Sequence, residues 1–290
     1  MATIIYLTKI FKCFFAKSTM KMLPLFFLFV LPLNILGQQK SKMPKKSDDE
    51  IIQKIEEINL LLNAYDTLSP FSENEDRFEL IDSIGNRITA QLLVLLNDKR
   101  IVNYPIEKLL AEEGIFISKS NDNKLFFFSI DEKTGGSYRT NITIIHYRLS
   151  DGMVHAEFFG SEDYEAMATS IYDKVFLVDS AAQKYFVIGS VQTCNTCLAS
   201  LAIAITLDTS SYLVDLIAEF DGRQDDLKIF EYDSLEKIFS YEYFAASNDD
   251  SIYGGDNEMD GLQHKYKNKY KYLNGAFFQI EKCEMWDNKE

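Results

Sequence analysis

The chain has 290 residues, enough for one large domain or two smaller ones, and its 47% hydrophobic and 26% charged residues exclude wholesale disorder, collagen and a multispanning membrane protein. Lys plus Arg number 30 against 44 Asp plus Glu, so the net charge of −14 disfavours nucleic acid, whose phosphates it would repel. Aromatic residues make up 13% of the chain, with 22 Phe and 16 Tyr, which favours β structure.

Residues 23–36 form an uncharged apolar core, preceded by Lys17 and Lys21 and followed by Gly37-Gln38. A cationic start, a short core and a small residue at the cut are the layout of a signal peptide over residues 1–37. A spanning helix needs about 20 apolar residues, and Pro24, Pro32 and Asn34 interrupt this run. The expectation is therefore cleavage after Gly37 and a periplasmic or secreted protein with no membrane span after cleavage. No Cys follows the core to carry a lipid anchor. Cleavage removes Lys9, Lys12, Lys17 and Lys21 and no acid, taking the net charge from −14 to −18.

A polar linker, residues 38–47, leads to a helical segment expected over 48–114. Ser47 with Glu50 fits a capping box, and Ile51, Ile55, Ile58 and Leu62 fall on one face of a helix over 48–64. Ser69-Pro70 ends it. Ser72 with Glu75 repeats the capping pattern, and Ile81, Ile84, Ile88, Leu92 and Leu95 predict a second helix reaching Asn97. A third short helix starts near Pro105 and stops at Gly114.

From Ile115 to the end, residues 115–290, the pattern changes to short alternating runs, and all five prolines lie before it. Strands are predicted over 115–119, 124–130, 138–149, 153–159, 171–179, 184–191, 198–207, 212–219, 227–232, 237–244, 264–273 and 276–281. Such close spacing calls for antiparallel pairing, since parallel strands need crossovers of roughly a dozen residues. Ile115, Ile171 and Leu227 each open a run, 56 residues apart, which suggests three units of four strands resembling propeller blades. The fold class is therefore α+β and mainly β: three N-terminal helices, then an antiparallel meander of about twelve strands in a curved sheet, barrel-like in preference to a true propeller.

The stretch Lys119-x-x-Asp-x-Lys-Leu-Phe-x-Phe-Ser-Ile-Asp, followed by Thr134-Gly135-Gly136 and lying after three helices and a signal peptide, resembles uncharacterised exported proteins of Gram-negative bacteria. The resemblance covers residues 48–281 and rests on turn chemistry. It implies an exported protein and carries no activity or site residue.

Cys194-Asn195-Thr196-Cys197 is the sharpest local motif. A thioredoxin-like enzyme sets such a pair at a strand-to-helix junction against a proline, but here a strand follows and no proline does. The reading is a structural disulfide between Cys194 and Cys197, with Cys283 the odd thiol of the exported chain.

His146 and His155 flank Asp151-Gly152, a two-residue hairpin signal. A two-residue loop would place Arg148 opposite His155 and His146 opposite Glu157, with all four polar side chains on one face. Imidazole beside carboxylate could transfer protons or bind a ligand; the plainer reading is a solvent face of cross-strand charge pairs. Asp256, Glu258 and Asp260 stand at the first, third and fifth positions of a calcium-like loop with Gly261 sixth, but Lys267 stands where a bidentate carboxylate belongs. Ca2+ is thus the only cofactor suggested, against an acidic solvated loop. Residues 264–273 alternate, with Lys265, Lys267, Lys269 and Lys271 on one face, as a guard on an edge strand would.

These features point to an exported, non-enzymatic envelope protein, a binding or structural module whose partner is another envelope protein or a glycan. The alternative is a periplasmic hydrolase or carbohydrate-active enzyme using the His146, His155 and Glu157 face.

Overall fold

Apolar residues at helical spacing set the first layer. In the computed structural model, which describes residues 46–110, 113–134, 136–160, 165–245 and 262–288, the first stripe lies in α1 (Lys46–Asp66) and the second in α2 (Arg77–Leu96). Ile51, Ile55, Ile58, Leu62, Ile81, Ile88, Leu92 and Leu95 are all buried. The second expected capping box does not form, and the first rests on Ser47, whose side chain lies outside the described ones. α1 already begins at Lys46, one residue before Ser47. Before α2, Ser72 and Asn74 spend their side-chain oxygens on local turns, accepting from the N–H groups of Asn74 and Asp76, and Asp76 takes the N-cap position without a side-chain bond. A 3-10 turn (Lys99–Asn103) and a single helical turn, α3 (Ile106–Leu109), complete the helical segment, with Pro105 at the N-cap of α3. A fourth helix, α4 (Glu165–Thr169), went unpredicted; one turn is too short to show a period.

The twelve strands lie close to where alternation placed them. They do not form one curved or barrel-like sheet. β1 (Phe116–Lys119), β2 (Leu125–Asp131), β3 (Asn141–Arg148) and β4 (Val154–Phe158) make a first four-stranded meander. β5 (Ile171–Asp179), β6 (Lys184–Gln192), β7 (Cys197–Leu207) and β8 (Tyr212–Arg223) make a second. β9 (Leu227–Asp233), β10 (Ile238–Ala245), β11 (Leu262–Leu273) and β12 (Ala276–Asn288) make a third. Every pairing is antiparallel. The chain leaves one sheet for the next through α4 and through a 3-10 turn at Gln224–Asp226, so the 56-residue spacing of Ile115, Ile171 and Leu227 marks sheet boundaries.

Period-2 alternation then decides which layer each side chain enters. On β2, Phe126, Phe128 and Ile130 join α1 and α2 in one core, while Leu125 and Phe127 join the second sheet in another. On β6, Tyr185 and Val187 face the first sheet, and Phe186 and Ile188 face the third. The result is a stack in the order helices, first sheet, second sheet, third sheet. Each large apolar side chain fully buried between layers contributes roughly 1.5–3 kcal/mol. Polar ties cross the layers as well: Tyr185 Oη donates to Asp122 Oδ2 at 2.9 Å, Lys237 Nζ to the Val178 carbonyl at 2.7 Å, and Tyr241 Oη to the Glu219 carbonyl at 2.9 Å. Gly189 is required by contact, because a Cβ there would lie 2.6 Å from the Tyr172 ring.

Two further expectations change. β11 is not an edge: it lies between β10 and β12, and its lysines pair across the sheet, Lys265 with Glu242 at 2.8 Å and Lys267 and Lys269 with Glu281 at 3.2 and 2.8 Å. The β3–β4 hairpin has a three-residue loop, Ser150-Asp151-Gly152, closed by Gly152 N–H to the Leu149 carbonyl at 3.0 Å and Leu149 N–H to the Met153 carbonyl at 2.9 Å. That odd loop length moves the register by one, so Tyr147 opposes His155, His146 opposes Ala156, and Ile145 opposes Glu157. Gly152 sits at φ +87°, in the left-handed region, so the turn needs glycine even though open space surrounds it. Gly152→Val should therefore lower the free energy of unfolding by about 1–3 kcal/mol through backbone strain alone, measured by denaturant titration; an unchanged midpoint would contradict the turn.

Candidate functional site

The residues Lys119 to Lys124 close the β1–β2 hairpin through a locked polar turn. Ser120, fully buried, donates from Oγ to Asp122 Oδ1 at 2.6 Å and accepts from the N–H of Leu125 at 3.1 Å, while Asn123 adopts φ +54°. With Asp122 Oδ2 held by Tyr185, the turn is anchored to the second sheet. Facing it is the segment 101–107, where Pro105 lets the chain pass from the 3-10 turn into α3.

Between these walls lies a cleft of about 490 Å³, lined on the sheet side by Lys119, Asp122, Asn123, Phe126, His146 and Arg148. Lys119 Nζ bridges the walls to Glu107 Oε1 at 2.7 Å and lies 5.9 Å above the Phe126 ring. Burial is the largest single influence on Glu107 and raises its proton affinity, but the bond from Lys119, a backbone hydrogen bond and the charges of Lys119 and Lys108 together outweigh it and keep the carboxyl below its ordinary pKa. Arg148 is exposed and its guanidinium has no ion pair among the described residues; the side-chain amides of Asn103 and Asn123 likewise make no hydrogen bond there.

His146 is 5% exposed, tilted against Phe126 and edge-on to Phe128 at 5.7 and 6.4 Å between ring centroids, and its Nδ1 is buried without a partner among the described residues. Desolvation pushes its pKa down to about 4, so the ring is neutral near pH 7. This corrects the expectation of a solvated face.

The four residues singled out on this hairpin do not share a face. His146 and Arg148 lie on the helix-facing side and line the cleft, whereas His155 and Glu157 lie on the other side with Tyr147. There His155 stacks on the Tyr147 ring at 5.5 Å, and Glu157 Oε1 accepts from Tyr147 Oη at 2.9 Å. Burial first, then the Glu157 carboxylate, raises the Tyr147 pKa beyond its ordinary value.

Cys194 and Cys197 form a disulfide pair in the β6–β7 turn, with sulfurs 2.11 Å apart and Cα atoms 4.6 Å apart. Cys283 is a free, half-buried thiol on β12. Asp256, Glu258 and Asp260 lie outside the described residues, and among the described residues no group of three or more His, Cys, Asp or Glu is arranged to hold a metal. No helix among them is long and apolar enough to cross a membrane. Asn103, Asn123 and Phe126 were not singled out as site residues. Phe126 lies within the Lys119–Asp131 stretch and Asn123 beside its Asp122, so a signal was present there, but only folding brings Asn103 to them.

The buried imidazole makes stability depend on pH. The unfolded chain takes up a proton on His146 near pH 6.5, whereas the folded one resists until about pH 4, so this contribution is complete above 6.5 and is lost as pH falls toward 4. Replacing His146 with Leu should remove up to about 3 kcal/mol of the pH dependence between 6.5 and 4, read from denaturant unfolding at a series of pH values; a pH profile parallel to that of the wild type would contradict the burial. No protein-family model matches the chain, and no curated protein or solved structure is significantly similar to it.

Proposed function

We propose that the protein is an exported, non-enzymatic envelope protein that works as a binding module, with the cleft between the 101–107 segment and the β1–β2 turn as its ligand site and a glycan as the ligand. The observation that carries this reading is the set of unpaired polar groups, Arg148, Asn103 and Asn123, around the Phe126 ring in a cleft of about 490 Å³. That volume falls within the ~300–1,000 Å³ of small-molecule sites, which pair apolar walls with a few unfilled hydrogen-bonding groups. Side-chain amides and a guanidinium suit sugar hydroxyls and carboxylates, since each offers donors that solvent alone now satisfies. Export rests on the residue pattern of 17–37, and periplasmic or secreted placement follows from it.

The rival reading, a hydrolase or carbohydrate-active enzyme built on His146, His155 and Glu157, has less support, because the hairpin register sets His146 on one face and the other two on the opposite one. Among the described residues that line the cleft, no Ser, Thr or Cys stands beside the neutral His146.

Titration of the mature protein, starting at Gln38, with envelope-derived oligosaccharides should shift the amide resonances of Asn103, Asn123 and Phe126. Arg148→Ala should weaken that binding about tenfold, as loss of one charge-assisted hydrogen bond does, with unfolding free energy unchanged. Absence of binding across the panel, or full affinity in Arg148→Ala, would overturn the assignment.

A further inference from the structure

The third sheet ends on β12, whose 13 residues pair with β11 on one side and with nothing among the described residues on the other. An edge of this length presents a row of unpaired backbone N–H and C=O groups, which a further strand can complete. It also carries apolar side chains open to solvent: Phe278 and Ile280 are each 50% exposed and Met285 is 43% exposed. Ile280 is skipped in the register with β11, and pairing is regular from Glu281 onward.

The charges of this regular stretch select an occupant. Glu281, Cys283 and Met285 stand opposite Lys269, Lys267 and Lys265, on the outer face of the stack; Lys282 and Glu284 stand opposite Asn268 and Tyr266, on the face toward the second sheet. Two copies of β12 joined edge to edge would be antiparallel about a two-fold axis perpendicular to the sheet. Opposed residues must then point to the same side, so the axis has to pass at a residue and not between two. An axis at Glu281, Lys282 or Glu284 would set like charges directly opposite each other. An axis at Met285 would leave Glu284 and Lys282 facing uncharged positions. Only an axis at Cys283 sets Lys282 opposite Glu284 of the second copy, twice by symmetry, with Glu281 opposite Met285.

We propose that β12 is a homodimerisation edge, joining two copies of this chain into one continuous eight-stranded sheet with Cys283 on the two-fold axis. Lys282 and Glu284 bridge within the strand at 3.1 Å in the single chain, with 62% and 43% of their side chains exposed, so each can exchange this solvent-exposed bridge for the pair across the edge. Such self-complementarity is what an isologous interface needs, and a different partner strand would not require it. The surface is separate from the proposed ligand cleft, and neither proposal depends on the other.

Sedimentation analysis of the full mature chain under reducing conditions should show a reversible dimer. Lys282→Glu and Glu284→Lys should each weaken it about tenfold, because each change turns two attractive cross-strand pairs into repulsive ones. Combining both substitutions restores opposite charges and should restore dimerisation. Oxidised glutathione should link the copies through Cys283: two thiols lose two electrons and two protons, the disulfide forms, and one oxidised glutathione is reduced to two glutathione thiols. Non-reducing peptide mapping would identify that link, and Cys283→Ser should abolish it while leaving the reversible dimer. A wild-type monomer at every concentration, charge variants that dimerise as well as wild type, or a double variant no better than the single ones would each overturn the proposal.

Discussion

The second sheet must be covered on both faces, and the rest of the molecule answers to that constraint. β6 and β7 are buried along nearly their whole length, with Tyr185, Phe186, Val187, Leu201, Ala202 and Ile203 closed to solvent. Neighbouring residues on β6 point in opposite directions, so the two aromatics act on different layers. Tyr185 reaches the first sheet through its bond to Asp122, and Phe186 packs in the third sheet against Tyr232, Phe277 and Phe239 at 4.5, 5.0 and 5.2 Å. A sheet apolar on both sides cannot stand in water alone, which is why two further meanders flank it.

The order of layers also arranges the surfaces that are left. The first sheet, covered on one side by the second, turns Phe126, Phe128 and Ile130 toward the helices. Because α2 and the 101–107 segment cover only part of that face, the end near Lys119 and Arg148 stays open as the cleft. At the other end no layer among the described residues lies beyond the third sheet, its outer face carries lysines and glutamates in cross-strand pairs, and its rim carries the β12 edge. The proposed ligand cleft and the proposed dimer edge thus lie at opposite ends of the stack and share no residue.

Strand positions were legible because runs of β-favouring residues are separated by turn residues. The division into three sheets was visible only as the spacing of Ile115, Ile171 and Leu227, since alternation reports which face a residue takes and not where one sheet ends. What the residue pattern misjudged was parity. Asp151-Gly152 reads as a two-residue loop, yet adding Ser150 to the loop exchanges the faces of β4 and separates His155 and Glu157 from His146. The burial of His146 has a separate cause: its face of β3 is the one that packs toward α2, and a polar ring gives no sign in sequence of being packed against Phe126 and Phe128. The cleft was half legible, since Lys119 and Asp122 stood in a recognised turn while Asn103 and Pro105 lay in a separate helical segment.

The claim that the two-faced second sheet holds the stack together is tested most directly by native-state hydrogen exchange resolved to single amides. Amides of β6 and β7 should exchange last, only through global unfolding, and the third sheet and the helices should open at lower free energy around an intact centre. Exchange of β6 and β7 through a partial opening, while α1, α2 or β10 stays protected, would contradict the account.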